Sequence, residues 1–137
     1  MRISQKTVYG LQALFEIASH PNLEGLKSVE IAEAQGIPVS FLEQILTTLK
    51  KSGLVKSFRG RSGGYILSRP ADEVTLLDTI NALEGPISFS KGLEKGSAVS
   101  GILKGFEDKV IKSLKEVSIE SLIEEKRKKD RTFIYSI

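Results

Sequence analysis

Apolar residues recur at helical spacing along most of the chain, and in one stretch the opposite face is wholly polar. Leu42, Ile45, Leu46 and Leu49 form one stripe, while Ser40, Gln44, Thr47 and Lys51 lie across from it with Glu43 on the flank. This predicts a helix that is buried on one side and chemically equipped on the other. Upstream, Val8, Leu11, Leu14, Phe15 and Ala18 share a face, and His20-Pro21 ends that helix. A short helix follows from a Ser28 cap, with Ile31 and Ala32 inward and Gly36 as its left-handed stop. Ile37-Pro38-Val39 then turns the chain into the helix starting near Ser40. Two helices joined by so short a turn fit a helix-turn-helix.

Downstream the period changes. Leu54–Arg59 and Tyr65–Arg69 read as two strands of a hairpin around Gly60, Gly63 and Gly64. Thr75 and Asp78 mark the start of a helix with Leu76, Leu77, Ile80 and Leu83 inward, and Gly85-Pro86 ends it. Residues 86–101 lack periodicity and contain three Gly and four Ser, which predicts a flexible loop. Leu103, Phe106, Val110, Leu114 and Val117 then give a long amphipathic helix at a spacing suited to a helix–helix seam. Ser118 caps a last helix with Ile119, Leu122 and Ile123 inward, and the charged run Glu124–Arg131 reads as its solvated end. The expected fold is mainly α with a small β-hairpin wing. A winged helix-turn-helix DNA-binding domain occupies residues 1–85, the flexible loop 86–101, and a C-terminal dimerisation helix and tail 102–137.

Charge sharpens this picture. The formal net charge is only +3, but residues 1–70 hold nine Lys/Arg against five Asp/Glu, and residues 71–137 hold eleven against twelve. Positions 50–69 carry six basic residues (Lys50, Lys51, Lys56, Arg59, Arg61, Arg69) and no acidic one. A polar helix face followed by a basic hairpin suits duplex DNA. Composition removes other classes. With no cysteine there is no disulfide framework, thiolate metal site or cysteine nucleophile, and with one histidine there is no histidine triad. No apolar run approaches the ~18 residues of a membrane span, and the N-terminus lacks the apolar segment of a secretory signal. The expectation is a cytoplasmic protein that is not an enzyme and holds no metal or other cofactor.

Four segments carry a family resemblance: MRISQKTVYGLQAL, IAEAQGIPVSFLEQIL, LVKSFRGRSGGYILSRP and LLDTINALEGPI. Together they resemble the Rrf2-type family of bacterial winged-helix transcription regulators typified by IscR, NsrR and CymR, over roughly residues 1–125. SFLEQIL and RGRSGGYIL, in that order and spacing, are the most specific parts. The resemblance implies a homodimeric regulator whose dimer is built largely from the helix at about 102–117. It also implies a departure. Cluster-binding members carry three cysteines in the loop aligned with residues 88–104, whereas this chain has Gly92, Ser97 and Ser100 there. Iron–sulfur clusters are held by thiolates. The chain therefore resembles the branch without cysteine, which takes its signal from a partner protein or a small metabolite.

Each candidate residue has a plainer reading beside the functional one. Ser40 and Glu43 match a capping box, Ser-x-x-Glu, yet the resemblance places them at the DNA-facing end of the recognition helix. A glutamate there can accept from cytosine N4. Gln44 has no capping role and can bond adenine N6 and N7. Thr47 and Lys51 lie further along the same face and suit phosphate, as do Arg2 and Lys6 near the first helix. Arg59 and Arg61 flank the wing tip, where an arginine can enter a narrow minor groove. Leu103, Phe106, Val110, Leu114 and Val117 are the expected dimer interface.

The sequence thus points to a sequence-specific DNA-binding regulator, a repressor, acting as a homodimer on a pseudo-palindromic site in double-stranded DNA. The competing reading is a winged-helix protein–protein module, for which the basic stretch at 50–69 is a poor match. The missing thiolates yield the first prediction. Anaerobic treatment with iron and sulfide leaves the protein colourless, and a brown product with charge-transfer absorption would overturn this.

Overall fold

The computed structural model describes residues 2–21, 23–58 and 63–136. Three helices open the chain: α1 (Gln5–Ser19), α2 (Ser28–Gln35) and α3 (Val39–Lys51). A two-stranded antiparallel hairpin follows, β1 (Val55–Ser57) and β2 (Tyr65–Leu67), with Val55 opposite Leu67 and Ser57 opposite Tyr65. After a turn of 3-10 helix come α4 (Leu76–Leu83), α5 (Ala98–Lys115) and α6 (Ile119–Ser136).

The core is centred on α3. Leu42, Ile45, Leu46 and Leu49 are all fully buried, as the stripe predicts. Leu14 of α1, Ile31 and Ala32 of α2, Val55 of β1 and Leu83 of α4 close around them. Burying one such side chain contributes about 1.5–3 kcal/mol. Tyr9 and Phe41 add an edge-to-face ring contact between α1 and α3 at 5.5 Å.

The buried face of α1 differs from the expected one. Thr7, Gly10, Ala13, Leu14 and Ile17 point inward, while Val8 is 38% exposed. The reason is close approach. A Cβ on Gly10 would lie 2.2 Å from Leu83 Cδ1, so α1 meets α4 through its small residues rather than its large ones.

Helix starts also shift. Gly36 stops α2 at φ 65° and ψ 37°, in the left-handed region that glycine favours. Lys27, not Ser28, precedes α2, and its N–H donates to Glu30 Oε1 at 3.1 Å. Pro38 precedes α3, so Ser40 lies inside the first turn and no Ser40–Glu43 capping box forms. Thr75 and Asp78 do form the expected reciprocal cap of α4. Ser97 caps α5, which starts four residues before the expected helix at 102. The charged run after Ile123 is helical and continues α6.

The C-terminal helix returns to the head. Leu76 N–H donates to Val117 O and Ile119 N–H to Val74 O, both at 2.8 Å. Ile119 is fully buried in the core, and α6 packs along α1.

The hairpin is held by one further rung. Leu26 and Tyr65 exchange main-chain hydrogen bonds at 3.0 and 2.8 Å. That pairing brings the backbone of Glu24 against Gly64, where a Cβ would stand 2.3 Å from Glu24 O. Gly64→Ala is therefore predicted to cost roughly 1–3 kcal/mol of stability, as overpacking does. A urea unfolding midpoint equal to that of the unsubstituted protein would refute it.

The start of α1 is pinned to the end of α4. Ser4 caps α1 by accepting the Thr7 N–H at 3.2 Å, and the Ser4 N–H donates to Glu84 Oε1 at 2.6 Å. Ser4, through its hydroxyl and then its main-chain N–H, holds the Glu84 carboxyl below the ordinary glutamate range. A lowered carboxyl pKa stabilises the fold above the unfolded value, and this contribution is lost as pH falls through the lower folded value. The Ser4 amide resonance is predicted to titrate on the acid side of free glutamate and to stop titrating in Glu84→Gln. A Ser4 titration that survives the substitution would assign the proton to another group.

Candidate nucleic-acid interface

The polar face of α3 is free of the fold that produces it. Because Leu42, Ile45, Leu46 and Leu49 are drawn inward, the 3.6-residue period turns Ser40, Glu43, Gln44, Thr47 and Lys51 outward, and all five are exposed. The side chains of Ser40, Glu43 and Gln44 make no hydrogen bond to another described residue. With the capping box absent, no described residue occupies the Ser40 hydroxyl or the Glu43 carboxylate. Glu43 and Gln44 present an acceptor and an amide on adjacent positions, which is base-edge chemistry.

Thr47 differs. Its hydroxyl donates to Glu43 O at 2.8 Å, as that of Thr48 does to Gln44 O at 3.1 Å. The one Thr47 donor is thus spent on its own helix, and a phosphate contact through it requires the hydroxyl to turn. Lys50 and Lys51 stand exposed in the last turn of α3, where the helix dipole favours positive charge.

The base of the wing is ordered by Phe58 N–H donating to Gly64 O at 2.9 Å. Lys56 is exposed on β1 and Phe58 is 45% exposed beside it. The expected minor-groove residues Arg59 and Arg61 lie outside the described residues. Arg69 is not free. Its guanidinium meets Asp78 at 3.3 Å, so one of the six basic residues of this stretch is spent on α4. The linear sequence hides that pairing because Asp78 also serves as the reciprocal cap of Thr75. Arg2 is exposed and Lys6 half-buried at the start of α1, the segment that Ser4 ties to Glu84.

The seam expected on α5 divides in two. Leu103, Val110, Leu114 and Val117 are half-buried within the chain's own fold. Val117 lies past the end of α5, where its carbonyl joins the bridge to Leu76. Phe106 is 56% exposed and shares its face with Val99 and Ile102. The expected seam leaves out Val99, which precedes the expected helix start at 102, and Ile102 at that start, although positions 99, 102, 103, 106 and 110 keep one helical period.

The residues where the loop meets α5 do not suit an iron–sulfur group. The Ser97 hydroxyl already accepts the Ser100 N–H at 3.1 Å as the cap of α5, and a hydroxyl is a poor substitute for a thiolate. Among the described residues no His/Cys/Asp/Glu cluster has a metal-binding arrangement. No helix of the described residues is long and apolar enough to cross a membrane.

Comparison with known proteins agrees with this geometry. A helix-turn-helix-type transcriptional regulator of Mycobacterium tuberculosis is 38% identical over 96 residues, covering 70% of this chain and 60% of that protein. The chain thus spans less than two thirds of that relative's length. The regulator IscR of Photorhabdus laumondii is 30% identical over 130 residues, covering 90% of this chain and 79% of IscR. Among solved structures, CymR, the global cysteine regulator of B. subtilis, superposes with a TM-score of 0.77 at 36% identity, over 89% of this chain and 95% of CymR. The IscR of T. potens follows at 0.76 and 32%, over 91% and 88%. These relatives are transcription regulators rather than enzymes. The profile of the Rrf2 family, described as iron-dependent transcriptional regulators, matches residues 3–125, and this winged-helix chain belongs to that family.

Proposed function

We propose that the protein is a homodimeric, sequence-specific DNA-binding transcription regulator of the cytoplasm, a repressor, that works without an iron–sulfur cluster. The observation that carries this reading is the exposed, unengaged face of α3, Ser40, Glu43 and Gln44, beside a hairpin region with basic and no acidic residues at 50–69. Ser40, Glu43 and Gln44 read base edges in the major groove. Lys51, Arg2, Lys6 and a turned Thr47 hold phosphates, which fix register without reading sequence. Arg59 and Arg61 reach the minor groove. Residues 1–85 form the reading head, the stretch from Pro86 links it to α5, and α5 with the C-terminal segment makes the dimer. The signal comes from an effector protein or a small metabolite.

The dimer reading is supported by Val99, Ile102 and Phe106, which are 60%, 64% and 56% exposed on one helix face. An apolar stripe of that kind calls for a partner, and a second copy gives a closed two-fold pair. Two heads related in this way favour a pseudo-palindromic site.

The test is a competition titration of the protein and Gln44→Ala on a selected operator and its point mutants, at several salt concentrations. Gln44→Ala should lose about 1–3 kcal/mol and relax preference at one position per half-site, with the salt slope unchanged. Sedimentation without DNA should give twice the 15.0 kDa chain mass. Operator binding by Gln44→Ala that matches the original protein at every position would remove Gln44 as a reading residue, and failure of the unsubstituted protein to select any operator would favour the protein-interaction module.

A further inference from the structure

Among the described residues of α5 only one is buried, and it is a carboxylate. Glu107 is 4% exposed on a helix whose large apolar side chains Val99, Ile102 and Phe106 are mostly exposed. Removing a charge from water is costly unless it is paired and hydrogen-bonded. Glu107 is both. Its Oε1 accepts the main-chain N–H of Phe89 at 3.0 Å, and its Oε2 takes the Lys104 ammonium. Lys104 also faces Asp108 at 3.5 Å. Lys104 first, and then the Phe89 N–H, hold the Glu107 carboxyl below the ordinary glutamate range, so it stays ionised and the bond stays charge-assisted at neutral pH.

Where this bond falls gives it a consequence. The chain leaves α4 at Gly85, runs without helix or strand to Ser97, and enters α5 at Ala98. Phe89 lies early in that connection, and Glu107 is eighteen residues on, in the middle of α5. The bond therefore fastens the start of the loop to the body of the helix. A second fastening lies beyond the far end of α5, where Leu76 N–H donates to Val117 O and Ile119 N–H to Val74 O. The helix also packs against α4, and to that non-directional contact the two polar fastenings add a direction.

We propose that Glu107 is a positioning residue for DNA binding: by clamping Phe89 it fixes the direction of α5 relative to the reading head, and so sets the half-site spacing that the dimer accepts. This rests on the dimer reading above. Two heads gain over one through effective concentration, and that gain depends on geometry. A clamped α5 concentrates it on one spacing, and a pivoting α5 spreads it over several.

The test uses the full chain, its Glu107→Ala and Glu107→Gln variants, and operators whose half-sites are moved apart or together by one or two base pairs. Glutamine keeps an acceptor for the Phe89 N–H, and alanine removes it. Glu107→Ala should bind the original operator about tenfold more weakly. Its preference between spacings should fall to about twofold or less, while its affinity for a single half-site is unchanged. Glu107→Gln should restore most of the spacing preference. Amide exchange at Phe89 should be slow in the unsubstituted protein and in Glu107→Gln, and fast in Glu107→Ala. A folded, dimeric Glu107→Ala that keeps the full spacing preference overturns the proposal. So does unprotected exchange at Phe89 in the unsubstituted protein, a measurement that holds even where Glu107→Ala does not fold. Sedimentation of the unsubstituted protein separates the two readings, because a monomer there removes the dimer itself rather than the role of Glu107 within it.

Discussion

The burial of one stripe on α3 constrains everything else in the head. Leu42, Ile45, Leu46 and Leu49 are fully buried, and helices α1, α2 and α4 and strand β1 all pack around them. A helix with one face so committed has no rotational freedom, so its polar face is aimed by the core rather than by its own contacts. That is why Ser40, Glu43 and Gln44 can stand exposed without side-chain partners among the described residues and still occupy defined positions. Removing one of the buried leucines costs about 2–5 kcal/mol, a large share of the stability of a small domain, and would loosen the aim of the polar face.

The second half of the chain obeys a different balance. The buried contacts of α6 are apolar, through Ile119 and Ile123, and they anchor it to the head. The deepest contact of α5 is a charge, while Leu103, Val110 and Leu114 are half-buried and Val99, Ile102 and Phe106 face outward. Packing on α4 holds α5 to the head, and the polar contacts at Glu107 and Val117 add direction. Apolar burial is non-directional and gives affinity, whereas a hydrogen-bonded ion pair has a preferred geometry.

Much of this was legible in the sequence, and the gaps have physical causes. The α3 stripe and the Thr75–Asp78 cap were clear because both are local patterns with a fixed period or spacing. The inward face of α1 was misplaced because Thr7, Gly10 and Ala13 are small, and small residues mark close helix approach rather than hydrophobicity. Ser40–Glu43 looked like a cap because the same four-residue spacing also fits the first turn of a helix that begins earlier, behind Pro38. The Arg69–Asp78 pair and the Glu107–Phe89 bond were invisible because each joins separate elements. A charged residue in a mixed charged helix such as α5 reads as solvated, and only the fold shows that Glu107 is enclosed.

The family is described as iron-dependent, and this chain has no thiolate to hold an iron–sulfur cluster. With no cysteine in the chain, the boundary between loop and helix is made from main-chain and hydroxyl groups instead. Ser97 is the clearest case. Its oxygen caps α5, satisfying one of the N–H groups that every helix start leaves open. A thiolate bound to iron would have to be capped by something else. The same segment cannot both end a loop through its hydroxyls and present soft ligands to a metal. The serine cap and the Glu107 clamp order the loop-to-helix junction without an external ligand, so any signal that acts there must compete with them. A protein or small-molecule effector would have to offer Phe89 or Lys104 a better partner than Glu107, because a ligand shifts an equilibrium only by its differential affinity for the two states.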